Sequence, residues 1–147
     1  MELAARRMTR DDWHWISEWF SDPTLDRELG PLDEEWLDYV LCEEDGVQLV
    51  VADENGPVAL VGCVWDPRGA EHGITDLAID PRRRRSGLGG PVVAAVLSWP
   101  GHPPTTGWIA FVDPGNDPAL RFFPAIGWRD EGPDGEMRRF ARAVPAA

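Results

Sequence analysis

The spacing of apolar residues divides the chain into an early helical part and a later part dominated by strands. Trp13, Ile16, Trp19 and Phe20 fall close to one face of a helix, with Trp15 off it, and predict a helix from about Arg10 to Phe20. Thr9 followed three positions later by Asp12 makes a shortened capping box at its start. Residues 2–8 predict a short first strand before it. Pro23, Gly30 and Pro31 punctuate the next stretch, which reads as a loop. Asp33 is placed to cap a second helix carrying Trp36, Leu37, Val40 and Leu41, with acids in its first turn.

The period then changes. Two apolar runs, Val47–Ala52 and Val58–Trp65, flank Asp53-Glu54-Asn55-Gly56-Pro57 and predict a hairpin, with Pro57 opening the returning strand. After a turn region from Asp66 to Gly73, Ile74–Ile79 predicts a third strand of the same sheet. Gly87–Ser98 is compatible with a helix because Pro91 lies in its first turn, where the missing N–H costs nothing. Pro100–Gly107 breaks that helix, Trp108–Val112 predicts a strand, and Pro118–Ala125 a short helix. Trp128 and a strand pair around Asp134-Gly135 close the pattern near Val144. Early helices, an antiparallel meander and then alternating strands and helices indicate an α+β fold, a mixed α/β sandwich. At 147 residues the expectation is one domain, residues 1–147.

Composition narrows the classes. A hydrophobic fraction of 43% excludes a wholly disordered chain, and no apolar run approaches the ~20 residues of a membrane span. The start of the chain lacks a basic segment followed by an apolar block, so the expected location is cytoplasmic, with no membrane partner. Cys42 and Cys63 are too few and too far apart for a disulfide framework or a metal site, and no metal is expected. The net charge of −12 is uneven: residues 1–76 hold 19 acids against 5 arginines, while residues 77–147 hold 7 acids against 9 arginines. The acidic half attracts cations and repels phosphates.

The stretch Ile79-Asp80-Pro81-Arg82-Arg83-Arg84-Arg85-Ser86-Gly87-Leu88-Gly89-Gly90 lies between a predicted strand and a predicted helix. Glycines let the backbone turn tightly and approach an anion, and the first N–H groups of a helix point at it with a partial positive charge. Arginines beside such a site bind phosphate through paired charge-assisted hydrogen bonds. Three readings are open here: a solvated basic loop, a nucleic-acid contact, and a site for the di- or polyphosphate of a nucleotide cofactor. The acidic first half argues against nucleic acid, which needs a broad basic face. The spacing is neither a Walker loop nor the three-glycine dinucleotide pattern.

Arg84-x-x-Gly87-x-Gly89 preceded by Ile79-x-Pro81 resembles the acyl-CoA pyrophosphate motif of the GNAT superfamily of N-acyltransferases. Asn116-x-x-Ala119-x-x-x-Phe123-x-x-x-Gly127-Trp128 resembles that family's later segment. The two motifs stand in the family's order. The resemblance implies a central, strongly twisted mixed sheet flanked by helices, splayed to hold a pantetheine arm. It implies that backbone groups of Leu77, Ala78 and Ile79 pair with the pantetheine amides, and that Arg84, Arg85, Ser86, Gly87, Leu88 and Gly89 hold the pyrophosphate. It places Asn116 and Phe123 beside the cofactor arm, although Asn116 is equally suited to cap a helix before Pro118. The implied activity is acetyl transfer from acetyl-CoA to a small cationic primary amine in a ternary complex, by a monomer or homodimer.

Such a reaction needs a neutral amine. With an ordinary alkyl ammonium pKa of ~10.4, neutralising the nitrogen at pH 7 costs roughly 4.6 kcal/mol, so a general base or desolvation has to help. Asp76, on the third strand with Ile74 and Ala78 on its face, is the first candidate and Glu71 the second; His72 reads more readily as a surface-loop histidine. The acids between residues 11 and 45, with Trp13, Trp15, Trp19 and Trp36, suit an acceptor wall for ammonium groups, although a core role fits most of those tryptophans. The second need is a proton for the departing thiolate. Where the family often has tyrosine this chain has Phe123, and its only tyrosine is Tyr39. That departure leaves a second reading, a noncatalytic acyl-CoA-binding or sensing module.

Overall fold

The computed structural model describes residues 2–83 and 86–144, and among these it forms seven strands of a mixed sheet and five α-helices. The α+β expectation holds. The elements fall into two compact units, Met1–Cys63 with Asp76–Pro100, and Val64–Thr75 with Gly101–Ala147.

The first unit opens with β1 (Ala4–Arg7), which pairs antiparallel with β2 (Gly46–Asp53) from Ala4 opposite Ala52 to Arg7 opposite Leu49. Between them run a 3₁₀ turn (Arg10–Asp12) and three helices, α1 (Trp13–Trp19), α2 (Pro23–Leu29) and α3 (Glu34–Cys42). The predicted capping box forms: the Thr9 amide donates to the Asp12 carboxylate at 2.8 Å. Arg6 and the Trp15 indole N–H also donate to Asp12, at 2.8 and 2.9 Å. Burial alone would raise the Asp12 carboxyl, but these donors outweigh it and hold the group at about 2.

The stretch that reads as a loop contains α2. Its start is built by Asp22, whose carboxylate accepts from the amides of Thr24 and Leu25 at 3.1 and 3.2 Å, with Pro23 at the first helical position. The proline therefore opens a helix where the sequence pattern predicts a loop. Asp33 caps α3 as expected, accepting from the Trp36 amide at 2.8 Å.

β2 turns into β3 (Gly56–Val64) through Glu54 and Asn55, and Gly56 takes a φ of 122° that favours glycine. Both strands are buried over most of their length, which is why they read as unbroken apolar runs and not as alternation. The first unit is completed by the second half of β4 (His72–Ile79), a 3₁₀ turn (Pro81–Arg83) and α4 (Gly89–Ser98). Its strands lie in the order β1-β2-β3-β4. Ile16, Leu37, Val50, Leu60 and Ala78 form one buried cluster, against which Trp13, Trp15 and Trp36 pack part-buried.

The second unit takes the first half of β4 and continues in the order β4-β5-β7-β6. β5 (Gly107–Val112) runs parallel to β4, with His72, Gly73 and Ile74 opposite Trp108, Ile109 and Ala110. It runs antiparallel to β7 (Met137–Ala143), which pairs in turn with β6 (Arg129–Asp134). α5 (Asp117–Ala125) precedes that hairpin. Phe123, Trp128 and Phe140 pack together here, with ring centroids 5.0 and 5.6 Å from Phe123.

Candidate active site

In the first unit, residues of α1, α2, α3 and three strands, with the segments beside them, line a small open recess. Phe20 comes from the end of α1, Leu29 and Leu32 from the end of α2 and the segment after it, and Trp36 from α3. Gln48 on β2, Leu60 on β3, and Asp76 and Ala78 on β4 complete the wall. Asp76 and Ala78 share a face through strand alternation, as expected. Ala78 is buried at 2% exposure, whereas Asp76 is exposed, so its carboxylate reaches both recess and solvent. Sequence reasoning does not single out Leu29, Leu32, Leu60 or Gln48. Gln48 carries a faint signal, as the one amide inside the apolar run Val47–Ala52.

Three residues beyond Asp76, β4 leaves the sheet at Ile79 and enters the arginine-rich turn. Asp80, 3% exposed, organises it: the Asp80 amide donates to the Val58 carbonyl at 2.8 Å, and its carboxylate accepts from the Arg82 backbone and guanidinium at 3.0 to 3.2 Å. Burial pushes the Asp80 carboxyl up, yet the Arg82 hydrogen bonds leave it below the usual carboxylate range. Arg83 donates to Asp53 at 3.0 Å. The four arginines therefore do not all face a phosphate site, because Arg82 and Arg83 are paired with local acids; Arg84 and Arg85 lie outside the described residues. Ser86 donates its hydroxyl to the Arg83 carbonyl. Gly87 has a φ of 74°, and a Cβ there would meet open space, so the backbone conformation, not crowding, requires glycine. Leu88, 7% exposed, anchors the start of α4, and the Val92 amide bonds back to its carbonyl at 2.9 Å. The amides of Gly89 and Gly90 begin the helix, and Pro91 has none to leave unpaired. An open glycine turn feeding a helix N-terminus fits a diphosphate group.

The other sequence candidates belong to the second unit. His72 is not a surface-loop residue: β4 begins two residues earlier than predicted, and the ring is 0% exposed among Trp65, His102 and Trp108. The Asp66 amide donates to His72 Nδ1 at 2.9 Å, so Nδ1 carries no proton and Nε2–H donates to the Pro103 carbonyl, also at 2.9 Å. Both nitrogens are committed, and the ring has no free site for proton transfer to a substrate. Glu71 is bound by Arg139, whose guanidinium reaches Glu71 Oε1 at 2.5 Å and Glu131 Oε1 at 2.7 Å. Asn116 caps α5, its side-chain oxygen accepting from the Ala119 amide at 3.2 Å. Phe123 is 6% exposed, and the neighbouring Trp128 Nε1 makes no hydrogen bond within the described protein. Burial pushes the Cys63 thiol up to about 12, and Cys42 is exposed. Among the described residues no group of three or more histidines, cysteines, aspartates or glutamates is placed to hold a metal ion.

The family model of the Acetyltransferase (GNAT) family matches residues 11–128. No curated protein matches the sequence. Among solved structures, the chain is similar to an acetyltransferase from Thermus thermophilus, with a TM-score of 0.81, 19% identity and 98% of each chain covered. It is also similar to AAC(6')-Ib in complex with Parmomycin and AcetylCoA, with a TM-score of 0.80 and 21% identity over 97% of this chain and 94% of that one. A spermidine N-acetyltransferase SpeG chimera from Vibrio cholerae and hSSAT gives a TM-score of 0.75 at 15% identity, covering 95% of each. At these identities the likeness is one of fold.

Proposed function

The chain belongs to the acetyltransferase (GNAT) family, and from that premise we propose that it moves an acetyl group from acetyl-CoA to the nitrogen of a small cationic primary amine, by direct transfer in a ternary complex. The whole chain serves as one catalytic domain. The observation that carries the reading is the placement of Asp76 in the recess wall on the same strand that leads into the glycine turn.

Ser86, Gly87, Leu88 and Gly89, with Arg84 and Arg85, would hold the diphosphate at the start of α4, where backbone N–H groups and the helix dipole favour an anion. The backbone of Leu77, Ala78 and Ile79 would pair with the pantetheine amides in the manner of an added strand. Acetyl-CoA supplies the thioester carbonyl that the amine attacks. Asp76 attracts the ammonium form, orients it, and takes its proton, directly or through a water, as the nitrogen becomes nucleophilic. Asp76 is preferred to Glu71 because Asp76 lines the recess and Glu71 does not. By the family likeness Asn116 would contact the cofactor arm while its side-chain oxygen also caps α5. Phe123 offers no proton to the leaving thiolate. A thiol of pKa ~8.5 leaves tolerably as its anion, so transfer slows without stopping.

The test is release of the CoA thiol from acetyl-CoA across a panel of amines, with Asp76→Asn compared at pH 7 and pH 9. A base at Asp76 predicts a larger loss at pH 7, since more amine is already neutral at pH 9. Equal losses would make Asp76 a positioning residue. If acetyl-CoA raises the melting temperature and no amine releases thiol, the acyl-CoA-binding module becomes the reading, as Phe123 would favour.

A further inference from the structure

A second cavity lies in the first unit, at the end of α3. It is bounded by Met8 just after β1, by Val40, Leu41 and Glu43, and by Gln48 near the start of β2, and its volume is about 100 Å³. Asp76 does not line it. A helix ends in unpaired carbonyls carrying about half a negative charge, which basic residues in the last turn offset. α3 has no basic residue in its last turn, and Glu43, Glu44 and Asp45 follow it. Glu43 Oε1 lies 3.1 Å from where a Cβ on Gly46 would stand, so the carboxylate folds back over the start of β2. Burial, and after it the Asp45 charge, pushes the Glu43 carboxyl above its ordinary value. Gln48 is a separate sign. At 9% exposure it shares a face of β2 with Val50, which packs with Leu37 and Val40 of α3. Among the described residues neither the Gln48 carboxamide nor the Glu43 carboxylate has a hydrogen-bond or ion-pair partner, and a buried amide without one is costly. Arg7 also borders the cavity, but strand alternation turns its side chain to the other face: Arg6 reaches Asp12, whereas the Arg7 guanidinium lies over the Trp99 ring at the end of α4, 5.1 Å from its centroid.

We propose that this cavity binds a short alkylammonium ion, with its carbon chain on Met8, Val40 and Leu41 and its ammonium between the Glu43 carboxylate and the Gln48 side-chain oxygen. On the scale where ~150 Å³ encloses a benzene ring, about 100 Å³ holds ~4 non-hydrogen atoms, the size of propylammonium. The ammonium N–H groups donate to both oxygens, and the charge opposes the negative end of α3. A divalent metal fits poorly, since calcium and magnesium take about six or more oxygens and the side chains here offer one carboxylate and one amide beside apolar walls. An anion is repelled by Glu43, and a neutral alcohol of the same shape lacks the charge that the carboxylate selects. This position differs from that of the reacting amine at Asp76, so binding here requires neither acetyl-CoA nor turnover.

The experiment titrates the isotope-labelled protein at pH 7 with propylammonium chloride, 1-propanol and sodium chloride, following the backbone amides of Glu43 and Gly46 and the side-chain amide of Gln48 by two-dimensional NMR. The expected result is a saturable shift of these signals with propylammonium, at least ~10-fold tighter than with 1-propanol, and none that saturates with sodium chloride. Glu43→Gln keeps the shape of the side chain and should weaken propylammonium by ~10-fold or more, whereas Asp76→Asn should leave these shifts unchanged. Spectra unaltered away from the cavity establish that each variant is folded. Equal binding of 1-propanol would make the cavity an apolar one without charge selection and overturn the proposal. Shifts matched by sodium chloride, or no saturable shift with propylammonium, would overturn it as well. Loss of the shifts with Asp76→Asn but not with Glu43→Gln would move the amine to the recess, against the proposal. None of these results bears on acetyl transfer, which thiol release tests separately.

Discussion

His72→Phe separates a structural histidine from a catalytic one, and its cost can be worked from the local geometry. The ring sits in a cluster with centroids 4.9 Å from Trp65 and 5.4 Å from Trp108, a shape that phenylalanine preserves. Two hydrogen bonds are lost with unequal consequences. The Pro103 carbonyl keeps a donor, because His102 Nδ1 also reaches it at 2.7 Å, so that loss is worth ~0.5–1.5 kcal/mol. The Asp66 amide loses the imidazole nitrogen it donates to, and a part-buried N–H left without a partner costs ~1–3 kcal/mol. The sum is roughly 2–4 kcal/mol, or about 6–14 °C in melting temperature for a chain of this size. Urea midpoints and thermal melts measure the stability, and thiol release at a temperature well below the transition measures turnover per folded molecule. The expected variant is less stable with kcat within about threefold of wild type. A variant of unchanged stability whose kcat falls by the ~10²-fold or more of a lost general base would refute the structural assignment.

Gly87→Glu should abolish most of the acetyl-CoA thermal shift, which is worth ~2.7 kcal/mol at 100 times the dissociation constant, while Gly87→Ala keeps a part of it; a wild-type shift in the glutamate variant would move the diphosphate elsewhere. Asp12→Asn should cost ~1–2 kcal/mol at pH 7, discounted because its partner Arg6 is half exposed. Since the Asp12 carboxyl is held at about 2, its stabilisation is complete above the unfolded value near 3.9 and is lost as pH falls through 2, so the two urea midpoints should converge across that interval. Phe123→Tyr should raise turnover less than ~10-fold, because a positioned acid needs supporting geometry, and single-turnover thiol release on both proteins reads the difference.

Local patterns carry most of the elements. The helical stripe of α1, the Asp33 cap of α3 and the glycine-rich turn before α4 each depend on residues within a few positions of one another, so the sequence exposes them directly. The glycine turn is readable for a second reason: a φ of 74° at Gly87 restricts the residue type whatever packs nearby. The helix α2 escapes a sequence reading because Asp22-Pro23 is chemically ambiguous, suited both to a turn and to a cap with proline at the first helical position. His72 escapes it because the strand start depends on pairing with Trp108, a partner far along the chain.

By itself the sequence determined the α+β class, the place of the glycine turn before α4, and the side of β4 that carries Asp76, since strand alternation and backbone stereochemistry are local. Only the tertiary structure decided which residues join Asp76 in a recess, since Leu29, Leu32, Trp36, Gln48 and Leu60 come from separate elements and meet only when these pack. It also decided what the charged groups do. Arg82 and Arg83 are engaged by Asp80 and Asp53, and Glu71 by Arg139, because an ion pair is set by distance in space and not by spacing along the chain.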